Sequence, residues 1–299
     1  MVTAEQKAGV GMKRSTISVG HRQIFVSEAG DGEAVVLLHG GGAGASGLSN
    51  FARNIHALSQ HFRVIVPDMP GYGRSSKGID QSDPFGDLAL FVRGLLDSLE
   101  IETAHLIGNS YGGAAALRCA LDRPERVDRL VLLGPGGIGT TRSLPTRGLM
   151  KLTNYYAGEG PTREKLDEFI RDYLVYDGAG VPSDLIEERF QASLDPEVMK
   201  NPPLQRPSGM GALRKLRKMD LLLHGRLKTL ETPTLVLWGE ADKVNRPSGG
   251  LTLARTMPEC DLYLVSRTGH WVQWEQPDIF NRTTINFLTA NAKIQGAAR

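Results

Sequence analysis

A serine flanked by glycines is the strongest chemical signal in the chain: residues 108–112 read G-N-S-Y-G. The motif follows an apolar run at 105–107 and opens an alanine-rich stretch at 111–121, so a strand ends and a helix begins at Ser110. Small residues two before and two after the serine allow a sharp turn that lifts its hydroxyl out of the sheet. The helix N-terminus adds partial positive charge where an oxyanion would form. This context predicts that Ser110 is a nucleophile rather than part of an ordinary glycine turn.

A glycine-rich loop, H-G-G-G-A-G at residues 39–44, follows the apolar run 34–38. Oxyanion holes in this kind of site combine backbone N–H groups of such a loop with that of the residue after the nucleophile, here Tyr111. Consecutive glycines let the backbone approach a substrate closely. A phosphate-binding loop is the alternative, but neither a Lys-Ser/Thr ending nor a G-x-G-x-x-G opening is present. We therefore expect an oxyanion hole.

Two residues downstream of Ser110 supply the base and the orienting carboxylate that a serine nucleophile requires. Of the two histidines that follow it, His224 lies in a polar helical region, which favours a surface role. His270 instead follows the last apolar run, 262–265, and so falls at the carboxyl edge of the predicted sheet. Asp242 follows the preceding run, 235–238, and is better placed than Glu240. The chain order matches the serine–acid–histidine order of this kind of site. The predicted catalytic triad needs no cofactor and no metal.

The elements that position these residues are apolar runs of buried-strand character alternating with helical stretches. The runs occupy residues 34–38, 64–66, 105–107, 130–133, 235–238 and 262–265, and two short β-type runs at 15–19 and 23–27 suggest a hairpin. Residues 88–99 carry a helical apolar stripe. The alternation predicts an α/β fold, with a mostly parallel eight-stranded sheet and helices on both faces.

One stretch interrupts the alternation of strands and helices and defines the domain organisation. Between residues 143 and 213 no buried-strand run occurs, and amphipathic pieces such as 163–173 and 183–193 are separated by glycine and proline. We interpret 143–213 as a helical lid inserted over a site at the carboxyl edge of the sheet. Residues 15–142 and 214–299 then form the core, and residues 1–14 a flexible N-terminal arm.

The composition excludes several other classes of protein. The 299 residues include 35 basic and 33 acidic ones, which are interspersed along the chain. We therefore predict no charged surface that would bind nucleic acid or a membrane. Cys119 and Cys260 are too few for a disulfide framework and lack metal-ligand spacing. The chain carries neither the apolar core of a signal peptide nor an apolar run of membrane-spanning length. We expect a soluble, cytoplasmic protein.

Several motifs together resemble the meta-cleavage product hydrolases, a family of carbon–carbon bond hydrolases with the α/β-hydrolase fold. The motifs span nearly the whole chain: L-H-G-G-G at 38–42 with S-N at 49–50, G-N-S-Y-G-G at 108–113, L-G-P-G-G at 133–137, W-G-E-A-D at 238–242 and G-H-W-V-Q-W-E at 269–275. Generic esterases share the serine motif, whereas the combination of Asn50, Asn109 and Trp271 is more specific to this family.

The resemblance implies a substrate class and roles for further residues. The family hydrolyses 2-hydroxy-6-oxo-hexa-2,4-dienoates, products of extradiol ring opening, to 2-hydroxypenta-2,4-dienoate and a carboxylic acid. Gly41 and Gly42 would line the oxyanion hole with Tyr111. Contacts with the carboxylate and 2-oxo end of the small-molecule dienoate would come from Asn50, Asn109, Arg189 and Trp271. A homo-oligomer, dimer or tetramer, is also implied.

Two of these implications go beyond what the residues indicate by themselves. An arginine among glutamates on an amphipathic helix, such as Arg189, more often forms a surface ion pair. Only the resemblance implies that Arg189 binds the carboxylate of the substrate. Residues 244–247, V-N-R-P, lack the aromatic residue of biphenyl-type relatives and resemble steroid-type members. An aryl or other bulky group at C6 is therefore expected.

The expected chemistry leaves alternatives open. Breaking a carbon–carbon bond requires an electron sink, so the dienol must first become a ketone, with His270 carrying the proton. Ser110 then either attacks the C6 carbonyl or assists a water molecule. A carboxylesterase of the same fold and a non-catalytic ligand-binding relative are the alternative functions. Dehalogenases and epoxide hydrolases of this fold carry aspartate in place of the serine, which argues against both.

Overall fold

Eight strands within residues 11–290, the part of the chain that this computed structural model describes, form one sheet in the order β1-β2-β4-β3-β5-β6-β7-β8. They are β1 Lys13–Val19, β2 Arg22–Ala29, β3 Ala34–Leu38, β4 Arg63–Pro67, β5 Ala104–Asn109, β6 Val127–Leu133, β7 Thr234–Gly239 and β8 Cys260–Val265. The pairs β1–β2 and β2–β4 are antiparallel and the remaining pairs are parallel. The predicted mostly parallel eight-stranded sheet is confirmed.

Helices flank this sheet on both faces. They are α1 Gly47–Phe51, α2 Ile55–Ser59, α3 Pro84–Ser98, α4 Tyr111–Asp122, α5 Arg147–Thr153, α6 Arg163–Glu168, α7 Ser183–Ser193, α8 Pro196–Lys200, α9 Ala212–Met219, α10 Ser248–Thr256, α11 Val272–Glu275 and α12 Pro277–Thr289. A π-helical stretch spans Phe169–Leu174, and short 3-10 turns span Pro124–Arg126, Gly178–Gly180, Leu221–Leu223 and Leu227–Thr229.

The central strands β5 and β7 are buried along their whole length because both of their faces are covered. Every residue of β5 and β7 is buried. Leu106 contributes to the core beneath α3 and α4, whereas its neighbour Ile107 contributes to the core beneath α1, α2 and α12. Successive strand residues point to opposite faces, so a strand covered on both sides reads as a continuous apolar run.

The edge strand β8 departs from the buried character predicted for residues 262–265. Tyr263 and Leu264 are 43% and 40% exposed. The prediction of burial is wrong for these two residues because β8 is an edge strand: it pairs with β7 on one side and, within the described residues, with no strand on the other. Apolar character alone does not separate an edge strand from a central one.

The chain between β6 and β7, residues 134–233, is called the insertion here; it contains helices α5–α9 and no strand. The amphipathic piece predicted at 163–173 forms α6 and the π-helical stretch, and the piece at 183–193 is α7. The insertion has an apolar cluster of its own, which reaches the core at Ala43, Val244 and Trp271. Helix α9 crosses the predicted lid boundary at residue 213.

The N-terminal boundary also differs from the expected one. Residues 1–10 of the predicted arm lie outside the described residues, whereas Lys13 and Arg14 already belong to β1, opposite Glu28 and Ser27 of β2. The ladder with β2 therefore begins before residue 15. None of the helices between residues 11 and 290 combines the length and the apolar composition needed to cross a bilayer.

Candidate active site

Ser110 occupies a strained turn between β5 and α4. Its backbone angles are φ 51° and ψ −108°, a region that residues with a side chain rarely adopt. Two hydrogen bonds to the end of β6 and beyond hold it there: the Ser110 N–H donates to Leu133 O at 2.9 Å, and the Gly136 N–H donates to Ser110 O at 2.8 Å. The turn predicted from the motif is thus present.

The glycines on either side of Ser110 are required by close backbone packing. A Cβ atom on Gly108 would collide with the carbonyl oxygen of Gly112, and one on Gly112 would collide with the carbonyl oxygen of Leu38 at the end of β3. Helix α4 can therefore begin against β3 and β5 only where these two side chains are absent. This crowding explains the spacing of the G-x-S-x-G motif.

Asp242 and His270 form a buried pair at the ends of β7 and β8. His270 Nδ1 lies 2.7 Å from Asp242 Oδ2, which also accepts from Trp238 Nε1 at 2.9 Å. The other carboxylate oxygen accepts from the backbone N–H groups of Val244 and Asn245, at 2.7 and 2.8 Å. Four donors thus fix the carboxylate, and the proton on His270 Nδ1 leaves Nε2 with its lone pair.

The free nitrogen of His270 is available for chemistry. Nε2 is buried and has no hydrogen-bond partner among the described residues. Ser110 and His270 line the same cleft, which has a volume of about 290 Å³ including the part open to solvent. An imidazole whose Nδ1 side is held by a carboxylate and whose Nε2 side is free can take a proton from a hydroxyl group and later return it.

The cleft brings together residues that are far apart in the sequence. Of the ten predicted site residues, eight line it: Gly41, Gly42, Asn50, Asn109, Ser110, Arg189, His270 and Trp271. Asp242 lies behind His270 instead, as described above. Tyr111 borders the glycine loop: a Cβ atom on Gly41 would lie 3.0 Å from Tyr111 Cβ.

Two side chains orient the peptides of the glycine loop. His39 Nε2 accepts from the Met69 N–H at 2.9 Å, so Nδ1 carries the proton and donates to Gly40 O, also at 2.9 Å. Burial lowers the pKa of His39, which favours this neutral form. The hydroxyl of Tyr72 donates to Gly41 O at 3.0 Å.

These two bonds determine where the N–H groups of the loop point. In a planar trans peptide the N–H is directed opposite to the preceding C=O. With the carbonyl groups of Gly40 and Gly41 held by His39 and Tyr72, the N–H groups of Gly41 and Gly42 lie on the other side of the loop. Within the described chain no hydrogen bond uses either of them. Two free donors in the wall of a cleft can stabilise an oxyanion.

Arg189 projects inward from α7 and is only 3% exposed. Within the described part of the chain, Arg189 does not form the surface ion pair that the helix sequence by itself favours. The neighbouring Glu187 pairs with Arg163. Among residues 11–290, no ion pair involves Arg189, and Nε and Nη2 both donate to Ala43 O. Burial lowers its pKa to about 10, so the guanidinium is charged at neutral pH. The cleft therefore contains a buried cation without an anionic partner.

A signal for this orientation is present in the sequence. Arg189 lies four residues after Leu185 and three after Ile186, both buried, so it continues the apolar stripe of α7. Residues at these spacings share one face of a helix. The adjacent glutamates suggest a solvated face, but the helical period, rather than the neighbouring charges, decides where the side chain points.

The remaining predicted side chains hold the cleft walls together. Trp271 Nε1 donates to Asn50 Oδ1 at 3.1 Å. Its ring stacks on Trp274 at 5.1 Å with an interplanar angle of 8°, and the guanidinium of Arg189 lies 5.4 Å from its ring centre. The Asn109 amide donates to the backbone carbonyl groups of Leu133 and His270, at 3.1 and 3.4 Å. These bonds connect strand β5 to the loop that carries His270.

Other residues at the cleft have little or no signal in the sequence. Leu152, Phe169 and Leu174 of the insertion supply an apolar wall. They lie at the spacing of any apolar residue in an amphipathic helix. The sequence therefore does not distinguish residues that line the cleft from residues buried in the apolar cluster of the insertion. Val244, in the segment from which a bulky C6 group was expected, is buried in the apolar cluster of the insertion and does not line the cleft. His224 lies 3.5 Å from Asp122, outside the cleft lining.

The chain is similar over most of its length to known hydrolases. A family model described as the alpha/beta hydrolase fold matches residues 33–277. The chain is 37% identical over 270 residues to a 2-hydroxy-6-oxo-6-phenylhexa-2,4-dienoate hydrolase of Burkholderia cepacia, covering 89% of this chain and 91% of that protein. It is 38% identical over 270 residues, with the same coverage, to a 2-hydroxy-6-oxononadienedioate/2-hydroxy-6-oxononatrienedioate hydrolase of Comamonas testosteroni. A solved meta-cleavage product hydrolase from Pseudomonas fluorescens superposes with a TM-score of 0.79 at 32% identity, covering 93% of this chain and 97% of that one.

Proposed function

Because the chain belongs to the meta-cleavage product hydrolases of the α/β-hydrolase fold, we propose that it hydrolyses a carbon–carbon bond in a 2-hydroxy-6-oxo-hexa-2,4-dienoate. The products are 2-hydroxypenta-2,4-dienoate and a carboxylic acid. One observation carries the proposal: the cleft that holds Ser110 and His270 also holds Arg189, a buried cation without an anionic partner. A dienoate carboxylate supplies that partner, whereas an uncharged ester does not.

The polar part of the cleft binds the carboxylate end of the substrate in this proposal. Arg189 commits Nε and Nη2 to Ala43 O, which leaves Nη1 free to donate to a carboxylate oxygen. The amides of Asn50 and Asn109 lie in the same lining, next to the 2-oxo end. The ring of Trp271, stacked on Trp274, forms the adjoining part of the cleft wall.

His270 moves the protons. Its free Nε2 takes the proton of the 2-hydroxyl group and delivers it to C5, which gives the ketone that serves as the electron sink and leaves the ring neutral again. Asp242 holds Nδ1–H and stabilises the imidazolium that forms in this step. The same ring then receives the proton of Ser110.

Ser110 carries the cleavage. Its oxygen bonds to C6, and the carbonyl electrons move onto an oxyanion held by the N–H groups of Gly41, Gly42 and Tyr111. When this tetrahedral intermediate collapses, the C5–C6 bond breaks and its electron pair becomes the dienolate stabilised by the 2-oxo group. The proton that His270 took from Ser110 passes to the dienolate oxygen, which gives the 2-hydroxy product and leaves His270 neutral. Water then hydrolyses the acyl-serine with His270 as base, which releases the acid. Attack by a water molecule that Ser110 orients gives the same products without the acyl-serine.

The insertion acts as a lid and receives the C6 substituent in this proposal. Leu152, Phe169 and Leu174 provide an apolar wall, and Arg189 is the only Lys or Arg among the described residues that line the cleft. A nonadienedioate carries a second carboxylate, whose burial without a partner is costly. The lining therefore favours an aryl or other apolar group at C6.

The proposal is tested with three substrates offered to the same protein preparation. Loss of visible absorbance is followed with 2-hydroxy-6-oxo-6-phenylhexa-2,4-dienoate and with 2-hydroxy-6-oxononadienedioate, and release of p-nitrophenol with p-nitrophenyl acetate. We expect the highest kcat/KM for the phenyl compound and no turnover by Ser110→Ala. Rapid ester cleavage without loss of either dienoate would identify a carboxylesterase instead. Binding without turnover of any of the three would identify the non-catalytic alternative.

We further propose a cytoplasmic homo-oligomer, dimer or tetramer. The exposed apolar side chains of Tyr263 and Leu264 on edge strand β8 support a contact between copies of the chain. Light scattering coupled to size-exclusion chromatography measures the number of subunits directly.

A further inference from the structure

Glu275, the last residue of α11, binds the backbone on both sides of His270. Its carboxylate accepts from the Gly269 N–H at 3.1 and 3.0 Å and from the Trp271 N–H at 3.1 Å. It also accepts from the Tyr176 N–H, which belongs to the insertion, at 2.7 Å. One side chain therefore holds three backbone donors that come from two separate parts of the chain.

The segment 174–176 of the insertion is packed directly against the same loop. The His270 N–H donates to Leu174 O at 2.8 Å. A Cβ atom on Gly269 would lie 2.7 Å from the carbonyl carbon of Val175 and 2.8 Å from both Leu174 O and Tyr176 N. The loop that carries Gly269 and His270 and the insertion are thus in contact through their backbones. Leu174 also lines the cleft, so this contact continues into the substrate wall.

A carboxylate is well suited to join these three N–H groups. An ionised carboxyl group only accepts hydrogen bonds and can satisfy several N–H donors at once. An amide at the same place would set an NH₂ group against backbone N–H groups and leave the half-buried bonds to the Gly269 and Trp271 N–H groups incomplete, which is costly. A small displacement of a base relative to its reaction partners is enough to slow a reaction strongly.

We propose that Glu275 is a positioning residue that fixes the His270 backbone and couples it to the insertion, so that the base and the cleft wall at Leu174 form one unit. Glu275 acts through the three N–H groups and does not touch the substrate. The inference rests on the proposed function in that it takes His270 to be the base of that reaction.

The test compares Glu275→Gln with a matched control, Asp220→Asn. Asp220 is buried, whereas Glu275 is half-buried, but its carboxylate likewise binds backbone, accepting from the N–H groups of Gly139, Thr141 and Leu222 at 3.2, 3.0 and 3.2 Å, and it is not part of the cleft lining. Loss of either carboxylate should lower thermal stability. We expect only Glu275→Gln to lower kcat, by about 10- to 100-fold, with KM much less affected.

Two further measurements separate positioning from general destabilisation. The rate at which a fluorophosphonate labels Ser110 depends on the base but not on the dienoate, and it should fall with kcat in Glu275→Gln. Hydrogen exchange should accelerate together at residues 174–176 and 269–271 in this variant and stay unchanged there in Asp220→Asn. Glu275→Asp retains the carboxylate on a shorter side chain and should recover part of the lost rate.

The outcomes are distinguishable. Wild-type rates of turnover and labelling in Glu275→Gln, or equal losses in both variants, would overturn the positioning role. Rapid labelling without dienoate turnover by the wild-type protein would overturn the proposed function and still leave the role of Glu275 measurable by labelling. If Glu275→Gln does not fold, exchange in the wild-type protein decides: the amides of Tyr176, Gly269 and Trp271 must share one protection factor, and independent opening would refute the coupling.

Discussion

Arg189 donates from Nε and Nη2 to the carbonyl oxygen of Ala43, at 3.1 and 3.0 Å, and so joins helix α7 to the glycine loop. The glycines of this loop make the approach possible, since a Cβ atom on Gly42 would collide with Nη2, and one on Gly44 with the Arg189 backbone. The loop therefore serves two purposes. It lines the cleft with free N–H groups, and it leaves room for a buried cation.

The first prediction concerns how the buried charge of Arg189 affects stability and substrate binding. Arg189→Met removes a buried charge that has no anionic partner, so we expect the free energy of unfolding to fall by less than ~1 kcal/mol or to rise. KM for the phenyl dienoate should increase by about 10- to 100-fold, because a charged hydrogen bond contributes about 1.5–3 kcal/mol. Urea denaturation and steady-state kinetics measure the two effects. An equal loss of activity toward an uncharged p-nitrophenyl ester would mean that Arg189 is structural.

The second prediction concerns the strained turn at Ser110. With φ at 51°, glycine fits this position better than any residue that has a Cβ atom. Ser110→Gly should therefore be more stable than Ser110→Ala by roughly 1 kcal/mol, although both variants lack the hydroxyl group. Denaturant unfolding of the two variants side by side measures the difference. Equal stabilities would show that the hydrogen bonds to Leu133 and Gly136, rather than strain, dominate the turn.

The third prediction concerns the orientation of the glycine loop. Tyr72→Phe removes the hydroxyl that donates to Gly41 O, so the Gly42 N–H is no longer held in place. Burial raises the pKa of Tyr72 well above its usual range, which keeps the hydroxyl a donor throughout the assay range. We expect kcat to fall by about 10-fold with little change in KM, since an oxyanion donor acts mainly in the transition state.

Tyr155→Phe is the control for this third prediction. Tyr155 is a buried tyrosine of the insertion whose hydroxyl is bonded to Ser193 Oγ rather than to the glycine loop. Its replacement should affect stability but leave kcat nearly unchanged. If both variants lose kcat equally, the effect comes from packing and Tyr72 does not orient the loop.

The parts of the site that the sequence predicts lie next to strand ends. Central strands covered on both faces give continuous apolar runs, and the carboxyl ends of parallel strands meet at one edge. Ser110 and Asp242 follow such runs and His270 follows the apolar run of edge strand β8, so their proximity could be predicted from order and spacing. The boundaries of β1 and the exposure of β8 could not, because they depend on neighbouring strands rather than on composition.

The insertion is less predictable for a physical reason. The spacing of its apolar residues predicts amphipathic helices, but an apolar side chain there can face either the apolar cluster of the insertion or the cleft. Leu152, Phe169 and Leu174 therefore carry no distinguishing signal. Glu275 is similar, since its three acceptor bonds go to backbone N–H groups that any sequence possesses. Such contacts become visible only when the chain is folded.

The most direct test of the central claim is the product stoichiometry from 2-hydroxy-6-oxo-6-phenylhexa-2,4-dienoate. Chromatography after complete bleaching should give benzoate and 2-hydroxypenta-2,4-dienoate in equal amounts, each matching the substrate consumed, and Ser110→Ala should give neither. This result would establish cleavage of the C5–C6 bond at the site described. Persistence of the absorbance, or bleaching without release of benzoate, would contradict carbon–carbon bond hydrolysis by this protein.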